Sequence, residues 1–398
     1  MRPTFLSAGV ALALAAPAPA LAQSADWSAH IADQGLAATA GAIEALEAPD
    51  QADLFALGGV RFLGAIERGL QTRWRANLVD ADELGLPLLR LPIPENPQPD
   101  PFTPAIVPDL FRALIDDLAA SREALARMGD AEFALRIRLD QLWFDINGNG
   151  QRDPGEGVLD VAGVLVLGQP PPPKVTIQFD LADSAWLSAY THLLTGMSQL
   201  ILAFDPETAI ARVLEAGDQF RSFQGAATST GELDRMFGSI FDRAMMLWLA
   251  LTGQTDAELT RAARESLLSM VADNRRFWAL LEAETDNVDE WIPNERQTAA
   301  LGFSLVPGTG AAWQEVLDDF EGLLTGRLLI PHWRMGDGAG INLRRLLEDP
   351  GPVDPVAWVH GVGLLPWVET GELATPEALW RFDTVTQGNG ILFALLFN

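Results

Sequence analysis

Between positions 145 and 156 the chain reads Asp-Ile-Asn-Gly-Asn-Gly-Gln-Arg-Asp-Pro-Gly-Glu. Oxygen-bearing side chains fall at places 1, 3, 5, 9 and 12 of this run, and a glycine falls at place 6. Alternate residues of a tight loop point inward, so Asp145, Asn147 and Asn149 can face one point. Gly150 permits the positive φ that such a sharp turn demands. Hard oxygens converging from a short loop are the chemistry of a hard cation. Calcium in particular takes six to eight oxygens at about 2.3–2.6 Å.

This run resembles the EF-hand-type calcium loop, over these 12 residues only. The resemblance implies side-chain ligation by Asp145, Asn147 and Asn149. It further implies a backbone carbonyl from Gln151, a direct or water-mediated bond from Asp153 and a bidentate Glu156. Arg152 stands where paired loops carry an apolar bridging residue, Pro154 follows, and there is no second loop of this kind. The expectation is therefore a solitary structural site entered from a strand, not a helix–loop–helix switch. With three charged ligands, its affinity should be modest, on the order of 10⁻⁵–10⁻³ M.

Other constellations are weaker. Asp286, Asp289 and Glu290 crowd beside Trp291, and paired carboxylates by an aromatic can do acid/base work on glycosides. Solvated loop acids are the commoner use of such a cluster. The 332–342 segment runs His332-Trp333-Arg334 into a Gly-rich turn, a place for either an anion or a tight turn with Asn342 capping the next helix. Asp26, His30 and Asp33 share a helix face, as a metal trio or as helix-start acids beside a solvated histidine. His192 has no ligating neighbour at helical spacing and reads as a core or subsurface histidine. Neither H-E-x-x-H nor G-x-S-x-G occurs.

The elements that must position these residues are mostly helical. Leu54, Leu57, Leu63, Ile66 and Leu70 recur at helical spacing, with Arg61, Glu67 and Arg68 between them on the polar side. Val107, Leu110, Leu114, Leu118 and Leu125 form a second stripe. Trp186, Tyr190, Leu193, Met197 and Leu200 form a third, capped by Asp183. Further helices are expected near 206–220, 231–252, 256–285, 311–325 and 376–386, with Gly326 ending the fourth of these. Period-two alternation predicts strands at Phe133–Leu139 and Val175–Phe179, flanking the 145–156 loop and able to pair. Proline-rich stretches lie at 87–104 and 170–173, the first a long strap and the second a stiff spacer. The apolar C-terminus, Phe393 to Phe397, is read as a last buried strand. Trp186, Trp248 and Trp278 sit on apolar stripes and are expected in the core. The fold class expected is mainly α, one helical domain over 23–398 with a β/calcium-loop insert at about 132–180.

Arg2, the apolar run Phe5–Ala16 and the Ala20-Leu21-Ala22 site have the order of a signal peptide over residues 1–22, cleaved after Ala22. The chain has 398 residues, no cysteine and a net charge of −27. Disulfides, thiol nucleophiles and cysteine zinc sites are excluded, and such an acidic surface repels nucleic acid. No later segment is long enough to span a membrane. These features together predict a periplasmic or secreted bacterial protein, calcium-binding and non-catalytic, whose partner is another envelope protein or a glycan. The alternative is a secreted hydrolase working through its loop carboxylates.

Overall fold

The computed structural model describes residues 25–79, 88–161, 174–224 and 232–397. The expected signal segment, its cleavage point and the 170–173 prolines lie outside them. Among the described residues no helix is long and apolar enough to cross a membrane.

The architecture is mainly helical with two small antiparallel sheets. Helix α1 (Trp27–Glu44) starts at Asp26, whose carboxylate accepts the Ala29 N–H, and kinks at Gly35, where φ is +77°. The positive φ is what calls for glycine here, since a Cβ at Gly35 would make only ordinary contact with the Trp143 ring. Helix α2 (Gln51–Arg75) opens with a reciprocal Asp50–Asp53 capping box. Its apolar stripe packs on α3 (Ile106–Leu125) and on α1. Strands β1 (Leu135–Arg138) and β2 (Thr176–Phe179) pair antiparallel, Leu135 opposite Phe179, as the alternation predicts.

Helix α4 (Leu181–Ala203) runs along α7 (Ala257–Ala283) in the most extensive helix–helix contact of the chain. Its N-cap is Asp180, with Asp183 at the third helical position answering it in a capping box. The sequence reading that made Asp183 the cap is thus corrected by one turn. Both aspartates serve the helix start, and spacing alone does not say which one lies outside it. Between these helices the chain makes a hairpin, α5 (Pro206–Gln224) and α6 (Glu232–Thr252).

Helix α8 (Thr309–Thr325) ends at Gly326, which has φ +76°. The second sheet follows: β3 (Ile330–Pro331), β4 (Ala339–Ile341) and β5 (Val368–Thr370), in that order. Short helices α9 (Leu343–Glu348) and α10 (Pro355–His360) lie between β4 and β5. Helices α11 (Glu377–Val385) and α12 (Gly390–Phe397) close the chain.

The expected C-terminal strand is therefore a helix. An unbroken apolar run carries no period to separate the two, and its surroundings decide. The Phe397 ring packs edge-on against Trp278 at 5.1 Å and Trp313 at 5.9 Å, and its carbonyl accepts the Asn274 amide. Trp186 and Trp278 are buried as expected, whereas Trp248 is exposed. The loop flanks Trp143, Phe144 and Ile146 are buried in the same core as Trp278 and Trp313, so the loop is built onto the main body rather than hung from it.

Candidate metal centre

The 145–156 loop is pinned at both ends. Trp143 bridges antiparallel to Gly157, the Phe144 N–H donates to the Glu156 carbonyl at 2.8 Å, and the Val158 N–H donates to the Leu142 carbonyl at 3.0 Å. From below, α2 holds the first loop residue. The Asp145 N–H donates to the Glu67 carboxylate at 2.7 Å, and the Gln71 amide donates to the Asp145 carbonyl at 2.8 Å.

Inside the loop the acceptors organise the backbone. Asp145 takes the N–H groups of Asn149 and Gly150, both at 2.9 Å, one on each carboxylate oxygen. Asn149 Oδ1 accepts the Gln151 N–H at 2.7 Å. Glu156 folds back across the loop, one oxygen accepting the Ile146 N–H at 2.9 Å and the other the Asp153 N–H at 2.7 Å. Gly148 and Gly150 adopt φ of +72° and +73°, the left-handed turns that bring these groups together.

Of the six residues selected from sequence, Asn147, Asn149 and Asp153 meet through their side chains, while the carboxylates of Asp145 and Glu156 accept backbone N–H groups of the loop. The sixth, Gln151, points its side chain to solvent and takes part through its backbone. The amides of Asn147 and Asn149 both donate to Asp153, at 2.7 and 2.8 Å. Their nitrogens, not their carbonyl oxygens, therefore face the acid, and ligation of a cation would require both amides to turn over. The three charged donors do not gather within 4.8 Å of one another. In this arrangement the loop is closed on its own hydrogen bonds.

Its electrostatics leave negative charge uncompensated. Glu156 is only 2% exposed. Among the described residues no ion pair reaches Glu67, Asp145, Asp153 or Glu156, and Arg152 instead donates to the Asp140 carbonyl. Burial pushes Glu67 up to about 7; the Asp145 N–H opposes this, and the charges of Asp145 and Glu156 add to it. All-oxygen donors with a net negative charge fit a hard divalent cation. Glu67, read from sequence as a polar-face residue, and Gln71 belong to this centre. Nothing in helical spacing shows that α2 would carry the loop on that face.

A second acidic group forms where α4 begins and α7 ends. Ligand atoms of Asp180, Glu284 and Glu290 lie within 4.8 Å of one another. Burial pushes Glu284 up to about 8 and Glu290 to about 7, and neighbouring negative charge adds in both cases. Asp183, fully enclosed behind them, is raised well above the usual carboxylate range for the same reasons. Of the 286–291 residues noted in the sequence, only Glu290 joins this group. Asp289 pairs with Arg136 at 2.5 Å, Asp286 is exposed, and Trp291 packs on Trp186 at 5.5 Å. Asp180 and Glu284 lie too far apart in the chain to leave a spacing signal, and Asp183, which spacing marks as a helix-start residue, shows nothing in sequence of its burial beside them.

The remaining candidates do not assemble. Asn342 caps α9 by accepting the Arg345 N–H, and its amide donates to Glu369, as the tight-turn alternative expects of it. His30 bonds Thr39, while Asp26 caps α1 and Asp33 accepts from Gln34, so no metal trio forms there. His192 is half-buried near Asp273; burial, then Arg122, lowers it to about 4 and keeps it neutral. No family model, curated protein or solved structure matches this chain.

Proposed function

We propose that this is an exported, non-catalytic calcium-binding protein of the bacterial envelope, in which the 145–156 loop holds one structural ion. The observation that carries the reading is the buried Glu156, folded across a loop rich in oxygen-bearing side chains whose acids have no cationic partner among the described residues. Calcium would supply the missing charge. Asp145, Asp153 and Glu156 would be its charged ligands, Asn147 and Asn149 its amide ligands after turning over, and Gln151 its carbonyl ligand. The loop flanks lie in the main core, so the ion's effect would be to lock an edge of the body rather than to drive a motion. Export rests on the signal-like order of residues 1–22. The expected partner, an envelope protein or a glycan, rests on that location and on the acidic surface.

A thermal melt with calcium and with chelator tests the reading. At free calcium about 100 times Kd, binding adds about 2.7 kcal/mol of stability. Wild type should melt higher in calcium, and Glu156→Ala should show no calcium-dependent shift. A wild type indifferent to calcium overturns the proposal.

One observation favours a second reading, a hydrolase. Beside Asp180, Glu284 and Glu290 offer carboxyls that keep a proton near neutral pH, as a general acid must. Hydrolysis of a glycan that is lost in Glu284→Gln and Glu290→Gln would establish it in place of the non-catalytic reading.

A further inference from the structure

The α5–α6 hairpin carries an apolar face that the other described residues do not cover. On α5 one stripe runs Ala209, Val213, Ala216, Phe220, Phe223, at alternating steps of four and three. Its first two members are buried, on the part of the helix that meets α3. Further along the same stripe Phe220 is 65% and Phe223 84% exposed. On α6 the residues Phe237, Ile240, Phe241, Leu247 and Trp248 are all exposed, Phe241 to 69%. With Ala244 they follow the a, d, e pattern of a helix inside a bundle, a face too wide to be covered by one neighbouring helix.

The size of this face exceeds what a lone chain normally shows. Each large aromatic carries about 150–250 Å². Weighted by exposure, the face comes to roughly 800 Å², against about 300–600 Å² for the largest patch of a typical monomer. A stable interface needs about 800 Å² from each partner. The composition also suits an interface centre, being rich in Phe, with Trp248, and poor in charge. Between Phe237 and Trp248 the only charged residues are Asp242 and Arg243, adjacent and of opposite sign.

We propose that the α5–α6 hairpin is a dimerisation arm, and that its occupant is the same hairpin of a second copy, the two packing about a two-fold axis as a four-helix bundle. A two-fold contact joins the same patch to itself, which this patch permits. The chain as a whole carries −27, yet the face is locally neutral, so two copies can meet there without the repulsion the rest of their surfaces would impose. The bundle would extend onto both partners the buried stripe that α5 begins at Ala209 and Val213. A lipid surface suits the arm less well. Helices that lie on membranes are rich in Lys and Arg, whereas α6 sets Glu232, Asp234 and Asp242 against Arg235 and Arg243.

Sedimentation velocity of the full chain at micromolar concentration, with vesicle flotation on phosphatidylcholine, tests the proposal. Wild type should sediment as a dimer and not float. Phe223→Glu combined with Phe241→Glu should sediment as a monomer, weakening association more than tenfold, with its circular dichroism unchanged. Should that variant misfold, Ala244→Cys decides the matter, since the chain has no other cysteine. Mild oxidation should convert it to a disulfide-linked pair, while Thr325→Cys on α8 should stay single. A monomeric wild type, an Ala244→Cys chain that cross-links no better than Thr325→Cys, or flotation of a monomer on vesicles would overturn it.

Discussion

Replacing Glu284 by Gln should stabilise the protein, and only above mildly acidic pH. In the folded chain Glu284 lies against Asp180 and Glu290, and burial followed by their charge pushes it from 4.5 to about 8. A carboxyl raised on folding leaves the folded state holding more protons than the unfolded state between those two values. Stability therefore falls as pH rises through that window and is fully retained below it. At full effect the loss by pH 8 would be roughly 5 kcal/mol, at about 1.4 kcal/mol per unit. Glu284 is partly exposed, and solvent screening reduces this to roughly 1–2 kcal/mol. Gln keeps an oxygen for the Gln297 amide, which donates to Glu284 at 3.1 Å. The assay is urea unfolding in chelator at pH 4.5 and pH 8. The Glu284→Gln midpoint should exceed wild type by about 0.3–0.5 M urea at pH 8 and match it at pH 4.5. A variant less stable than wild type at pH 8, or an offset equal at both pH values, would refute the reasoning.

Arg73 is fully buried and donates to the carbonyls of Leu78, Leu88 and Leu91. Arg73→Met should cost about 3–5 kcal/mol by stranding those acceptors, as measured by denaturant unfolding. Arg73→Lys should fail to restore it, because one ammonium cannot span the fork. Asn274 accepts the Trp313 indole N–H at 2.9 Å and donates to the Phe397 carbonyl. Asn274→Leu should therefore loosen α12, seen as faster amide exchange over 390–397 with a loss of about 2–3 kcal/mol. Protein recovered from a periplasmic extract should begin at Gln23 by intact mass, and a chain retaining residues 1–22 would contradict export.

The long helices were legible because their apolar residues recur with the helical period over four or more turns. The β1–β2 pair was legible for the matching reason, since Leu135 and Ile137 alternate with Arg136 and Arg138. The tight turn at 145–156 was legible too, because the positive φ at Gly148 and Gly150 is a local requirement that the residue type declares. What the sequence hid was long-range. Glu67 and Gln71 reach the loop from α2, and Glu284 meets Asp180 across the end of α7. The C-terminal run lacked any period until Trp278 and Trp313 gave it a helical seat. Trp248 has a core-like spacing in sequence but lies on a face that no described element covers.

The most direct test of the loop's role is isothermal titration of calcium into wild type and Asp145→Ala. The account predicts one site, a hyperbolic isotherm with Kd on the order of 10⁻⁵–10⁻³ M, and no binding to the variant. Heat absent from wild type, a stoichiometry of two per chain, or undiminished binding to Asp145→Ala would contradict it.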